Sequence, residues 1–298
     1  MEKRNIDRRT FLEQGGKAAG FAAAAVAGGL LLREPERHPF RVRDEKPLVR
    51  DLRVKDIEQK LVRVRGDDPA RMTATAIEAF GGMAAFVAKG DFVVVKPNVG
   101  WDRRPEQAAN TNPDVVAEVV RQCVAAGAAR VLVPDVTCND ATRYFQRSGI
   151  AAAARDAGAE VQLAQEARFR EVNIGGAMLG RQPVYDAYLE ADKLINIPVA
   201  KHHSLTRVTL GMKNLYGILG GNRSRLHQDI HNSLADLADF LRPTLVIVDA
   251  WRVLLRNGPH GGSLADVEER RMLLASTDPV AIAALAGAEF FGLPTEAI

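Results

Sequence analysis

The strongest constraint on this chain is an alternation of short, unbroken apolar runs rich in β-branched residues with longer stretches of helical spacing. The runs fall at Leu61–Val64, Phe92–Val95, Arg130–Val133, Glu160–Leu163, Lys193–Ile197, Leu245–Val248 and Met272–Ala275. Ala-, Leu- and Val-rich stretches occupy 70–89, 113–127, 142–157, 229–241 and 279–291. A strand with one wet face alternates apolar and polar side chains, whereas an unbroken apolar run is buried on both sides. The pattern therefore predicts an α/β fold: a largely parallel sheet with helices on both faces, and a small subdomain around 165–230. Boundary residues agree. Asn112-Pro113 sets a capping side chain before a proline at the first helical position, and Ser276-Thr277-Asp278-Pro279 does the same for the last helix.

Charge locates the ends of the domain. The whole chain carries a net charge of +3. Lys3, Arg4, Arg8, Arg9, Lys17 and Arg33, set against Glu2, Asp7 and Glu13, account for all of it, so residues 34–298 are formally neutral. A neutral body lacks the basic face that nucleic acid requires, and no nucleic-acid partner is expected. The basic end has its own pattern. Asp7-Arg8-Arg9-Thr10-Phe11-Leu12 precedes an Ala- and Gly-rich segment, Gly15 to Leu32, with few charges. Paired arginines before a mildly apolar stretch resemble a twin-arginine leader, although Asp7 and Glu13 depart from that pattern. The expectation is a signal peptide over 1–32, export through the twin-arginine translocon to the periplasm or another extracytoplasmic space, and no permanent transmembrane helix. The other reading is a helical N-terminal extension that contains an Arg-Arg pair. A charged linker with three prolines follows over 33–47, and the folded domain over 48–298.

The two cysteines, Cys123 and Cys138, fall at opposite ends of a predicted helix-and-strand unit, too far apart for a disulfide, and are read as free thiols.

Ligands of parallel sheets collect at the carboxyl ends of the strands. Those ends carry Lys96, Asn98, Asp135, the Lys201-His202-His203 run just past Pro198, and Asp249. The glycine-relieved segment Gly211–Gly217 adds Lys213 and Asn214. Lysines and histidines of this kind grip carboxylates or phosphates, and histidine exchanges protons near neutral pH. Lys201, His202, Lys213, Asp135 and Asp249 are accordingly the catalytic candidates; Lys96, Asn98, His203 and Asn214 are the ligand-holding ones. If a single helix runs through both, His227 and His231 are one turn apart and suit a metal ion. No phosphate-loop, dinucleotide, nucleophile-elbow or HExxH motif is present, so NAD and ATP enzymes of standard design are not expected.

Several stretches together resemble the DUF362 family of uncharacterised proteins. They are Val93-Val94-Val95-Lys96-Pro97-Asn98, Thr111-Asn112-Pro113-Asp114, Asp192-Lys193-Leu194-Ile195-Asn196-Ile197-Pro198, Val208-Thr209-Leu210-Gly211-Met212-Lys213-Asn214 and Thr277-Asp278-Pro279-Val280-Ala281. The resemblance runs from about residue 60 to the C-terminus. It implies motif positions rather than an activity. Some members of the family append a ferredoxin-like cysteine cluster; this chain has no C-x2-C-x2-C, so an iron–sulfur centre is not carried over. The family pattern usually continues past the point where this chain stops, so Ile298 is read as a clipped end. A looser similarity is to the lactate-racemase-like proteins, which also join α/β architecture to a site rich in lysine and histidine. The functional expectation is an exported enzyme or cofactor-dependent protein acting on a small anionic ligand. The alternative is a noncatalytic accessory protein that binds a ligand or metal.

Overall fold

The computed structural model describes residues 46–295, so the expected leader over 1–32 and nearly all of the linker over 33–47 lie outside the described residues. Residues from Lys46 onward form one compact unit. Its strands are β1 (Arg50–Asp51), β2 (Leu61–Arg65), β3 (Phe92–Pro97), β4 (Arg130–Asp135), β5 (Glu160–Leu163), β6 (Phe169–Gly175), β7 (Gly180–Tyr185), β8 (Lys193–Ile197), β9 (Val199–His203), β10 (Arg207–Thr209), β11 (Leu241–Arg242), β12 (Leu245–Leu254) and β13 (Val267–Ser276). The helices are α1 (Pro69–Glu78), α2 (Pro113–Ala125), α3 (Ala141–Arg147), α4 (Ile150–Asp156), α5 (Asp186–Glu190), α6 (Gly211–Asn214), α7 (Ile230–Phe240) and α8 (Pro279–Phe291).

Nine strands make the main sheet, with β10-β9-β12-β8-β3-β4-β5 in order and β13 joining β12 to β2. The pairings β5–β4, β4–β3, β3–β8, β8–β12 and β9–β12 are parallel; those of β13 with β12 and β2, and of β10 with β9, are antiparallel. The unbroken apolar runs explain the layering, because successive side chains leave a strand on opposite faces. Val93, Val95, Val131, Val133, Ile195 and Ile197 enter a core with Val116, Val120 and Ile150 of the helices. Val94, Leu132 and Leu194, between them, enter a second core with Tyr188, Leu237 and Phe240. Val246 and Val248 enter a third with Ile282 and Phe290 of α8. Each fully buried Val or Leu contributes ~1.5–3 kcal/mol, so helices cover both faces by necessity.

The expected caps are present. Asn112 accepts a hydrogen bond from the Asp114 amide (2.9 Å), and Asp278 accepts from Val280 (2.9 Å) and Ala281 (3.0 Å). Two predicted helices are shorter or divided. The 70–89 stretch ends its helix at Glu78, just before Gly81 and Gly82, whose φ values of 94° and 84° no continuing helix accepts. Gly149, at φ 75°, splits 142–157 into α3 and α4. Within 165–230 the β6–β7 hairpin forms its own two-stranded sheet, and Ile174, Leu179, Val184 and Tyr185 from it join the second core. Cys123 is buried and Cys138 exposed, both as free thiols. No described helix is long and apolar enough to cross a membrane.

The ladder between β3 and β8 ends at Pro97 opposite Ile197, and Pro198 follows directly. Proline has no N–H to extend a ladder. Beyond this point β9 stays on β12 but turns its other edge to β10 instead of β3. The sheet forks, and the two prolines mark the fork.

Candidate functional site

A cavity of about 550 Å³ lies among the segments that leave β3 and β4, the β9–β10 hairpin, and the turns at 213–227. Among the described residues four cationic side chains line it, Lys96, Lys201, Lys213 and Arg223, with Asp135 as the one carboxylate. A larger groove of about 810 Å³ between α1 and α2 has alanine for half of its lining, with Glu78 the one charged group among the described residues there, and offers no comparable chemistry.

Lys96 is the last residue of β3 before Pro97 and is fully buried. Its Nζ donates to Asp135 Oδ1 (2.8 Å), to the Pro97 carbonyl (3.1 Å) and to Asn214 Oδ1 (3.5 Å). Burial lowers its pKa, and the ion pair with Asp135 opposes that shift. The second Asp135 oxygen accepts from the Val99 amide (2.7 Å), which draws the chain after β3 against the end of β4. Gly217 permits this approach, since a Cβ there would stand 2.1 Å from Asp135 Oδ1 and 2.7 Å from Lys96 Nζ. Asn214 accepts from Asn98 Nδ2 (2.9 Å) and donates to Asn196 Oδ1 (2.8 Å), while Asn196 Nδ2 donates to the Gly211 carbonyl (2.9 Å). Three asparagines thus tie the end of β3, β8 and α6 together at the cavity.

Lys201 is held differently. Its Nζ donates to Asn98 Oδ1 (2.9 Å) and the Ala109 carbonyl (2.6 Å), and no described carboxylate pairs with it. Burial is the main reason its pKa falls to about 7; Cys138 opposes the shift, and Lys213 and Lys96 add to it. Thr209 lies opposite Lys201 in the β9–β10 register, and its hydroxyl is buried without a hydrogen-bond partner. Lys213, at the end of α6, rests its Nζ 4.2 Å from the centre of the Tyr216 ring. It too has no paired carboxylate among the described residues, and burial is the main cause of its pKa near 8.

His203 Nδ1 accepts from the amides of Leu205 (3.1 Å) and Thr206 (3.3 Å). Burial first, then Lys213 and Lys201, hold its pKa down at about 3, so the ring is neutral with its proton on Nε2. His227 lies against the edge of Tyr216, and burial followed by Lys213 keeps its pKa low.

Of the expected residues, Lys96, Asn98, Asp135, Lys201, His203, Lys213, Asn214 and His227 all line the one cavity. Three others do not. His202 alternates with Lys201 and His203 along β9 and faces the opposite way, toward a separate cavity of about 520 Å³ with Arg256, Asn257 and His260. Asp249 accepts from the amides of Asn112 (2.7 Å) and Trp251 (3.0 Å), and burial raises its pKa to about 6. Its carboxylate braces the start of α2 and is not in the cavity wall. His231 is exposed on α7. The pairing of His227 with His231 also fails, because 223–229 is a 3-10 turn and Asp229 starts a new helical phase as the cap of α7. Among the described residues no three His, Cys, Asp or Glu side chains come together in a group suited to a metal.

Sequence reasoning missed Arg223, Tyr216, Thr209 and Asn196. Asn196 had a signal, standing in β8 between apolar neighbours where an asparagine needs buried partners. Arg223 had none. It donates to the carbonyls of Val136 (2.8 Å) and Thr137 (2.7 Å), contacts no sequence pattern foreshadows.

Comparison with known proteins gives three results. Residues 93–287 match the model of the family described as "Domain of unknown function (DUF362)". The "Thylakoid-associated protein sll1697" of Synechocystis sp. is 28% identical over 225 residues, which cover 70% of this chain and 65% of that protein. The structure of the lactate racemase apoprotein from Thermoanaerobacterium thermosaccharolyticum aligns over 80% of this chain and 60% of that one, with 12% identity and a TM-score of 0.42.

Proposed function

This chain belongs to the DUF362 family, and on that premise we propose that its cavity binds a small anionic molecule and presents it to Lys201 for proton transfer. The observation that carries the reading is the excess of cationic groups over the single carboxylate in a confined space. Asp135 is already engaged by Lys96 and the Val99 amide, so the charges of Lys201, Lys213 and Arg223 lack a counterion there. A carboxylate or phosphate supplies one, and charge-assisted hydrogen bonds in a partly dry cavity are among the stronger polar contacts. The Thr209 hydroxyl and the His203 Nε2–H are neutral donors for the remaining oxygens. With its pKa near 7, Lys201 holds both protonation states at neutral pH, as a general acid or base requires.

The same reading includes export. Arg8-Arg9 and the nearly uncharged segment after it support passage by the twin-arginine route to an extracytoplasmic compartment. In the full chain, changing both arginines to lysine leaves the protein in the cytoplasmic fraction; equal export of this variant removes the export part.

Calorimetric titration of inorganic phosphate, with acetate as a monoanionic comparison, tests the binding part. Phosphate binds more tightly, its affinity falls with added salt, and Lys213→Met weakens it by ~10-fold or more. Absence of phosphate and acetate binding at low salt, with the protein folded, rules the reading out.

A further inference from the structure

Cys138 takes no part in the proposed anion binding, yet its surroundings suit a reactive group. The backbone before it is fixed, since Arg223 binds the carbonyls of Val136 (2.8 Å) and Thr137 (2.7 Å) and the Val136 amide donates to the Gly217 carbonyl (3.0 Å). That anchoring sets an exposed free thiol in the wall of the cavity that also holds Lys201 and Lys213. An independent observation points to a polar ligand in the same cavity: Thr209, only 3% exposed, has a buried hydroxyl with no hydrogen-bond partner among the described residues. We infer that Cys138 is a nucleophile toward small anions that carry an electrophilic carbon, with Lys213 holding the anionic group beside the thiol. The inference rests on the anion-binding reading of the cavity.

The chemistry balances within the site. Lys201 as the free amine takes the thiol proton and becomes an ammonium. The sulfur lone pair forms the S–C bond, and the bond from that carbon to its leaving group breaks, the leaving group departing with the electron pair. The Lys201 ammonium then faces the departing anion. The thiolate, not the thiol, is the attacking species, so the reaction needs the amine to remove that proton. Cys123 supplies a control inside the same molecule, since it is fully buried and burial pushes its thiol up to about 12.

Alkylation of the full chain, followed by peptide mass spectrometry, tests this with two probes of one chemistry. Iodoacetate carries a carboxylate and iodoacetamide does not; iodide leaves in both. Cys138 is expected to react ~10-fold or more faster with iodoacetate than with iodoacetamide, with Cys123 unlabelled. Inorganic phosphate slows the reaction with iodoacetate, and Lys213→Met removes the preference for the charged probe. Equal rates, or a faster reaction with iodoacetamide, overturn the inference. Calorimetry on Cys138→Ser separates the two claims. Phosphate binding that persists there while the probe preference is absent leaves the anion cavity standing and ends only the nucleophile. Loss of phosphate binding in the unaltered protein ends both.

Discussion

Lys96 and Lys201 are both buried lysines of one cavity, yet they are held by opposite means. Lys96 is matched by Asp135 at 2.8 Å, by a carbonyl and by an asparagine. Lys201 has only the neutral oxygens of Asn98 and Ala109. A buried charge that is paired can brace a fold, whereas one without a counterion costs stability and is retained where it serves a ligand. The first half of the cavity is thus a strut closing β3 onto β4. The second half, on β9 beyond the fork, is on the proposed reading a socket.

The largest effect that separates the halves is on stability. Asp135→Asn leaves Lys96 buried without its counterion and is expected to cost about 3–5 kcal/mol in denaturant unfolding. Lys201→Met removes a charge that nothing balances and is expected to leave stability unchanged or raise it by about 1–2 kcal/mol. If both variants lose stability alike, the comparison breaks. Gly217→Ala attacks the strut sterically, because its Cβ falls 2.1 Å from Asp135 Oδ1. Overpacking of this kind costs about 1–3 kcal/mol, seen as a lower unfolding midpoint.

A smaller effect is one of pH. The folded-state pKa of Lys201, about 7, lies below its ordinary value of 10.5. Between the two the unfolded chain binds more protons, so stability rises with pH across that window, and Lys201→Met flattens the rise. Asp249 gives the opposite sign lower down. Its pKa is raised from 3.8 to about 6, so its contribution falls as pH increases between those values, and Asp249→Asn removes that slope. Unfolding curves over a pH series separate the two groups.

The fold was legible because burial on both faces leaves a strong trace, the unbroken runs that became β3, β4, β8 and the first half of β12. Most of the cavity followed from strand ends. The failures have one cause, which is register past those ends. The sequence places the end of its strand at Val248, so Asp249 reads as a rim residue; β12 continues to Leu254, and Asp249 sits within the sheet. Nothing in the run after Pro198 announces that β9 resumes, so the alternation that sends Lys201 and His203 one way and His202 the other could not be assigned. Tyr216 and Arg223 reach the cavity from two separate 3-10 segments, Leu215–Ile218 and Arg223–Asp229, and the second breaks the helical phase linking His227 to His231.

The most direct measurement is an NMR titration of the lysine side chains, with the Lys201 signal assigned through Lys201→Met. A Lys201 transition near pH 7 is expected in the free protein, moving upward when inorganic phosphate is added because a bound anion favours the ammonium. An ordinary lysine transition unaffected by phosphate contradicts it.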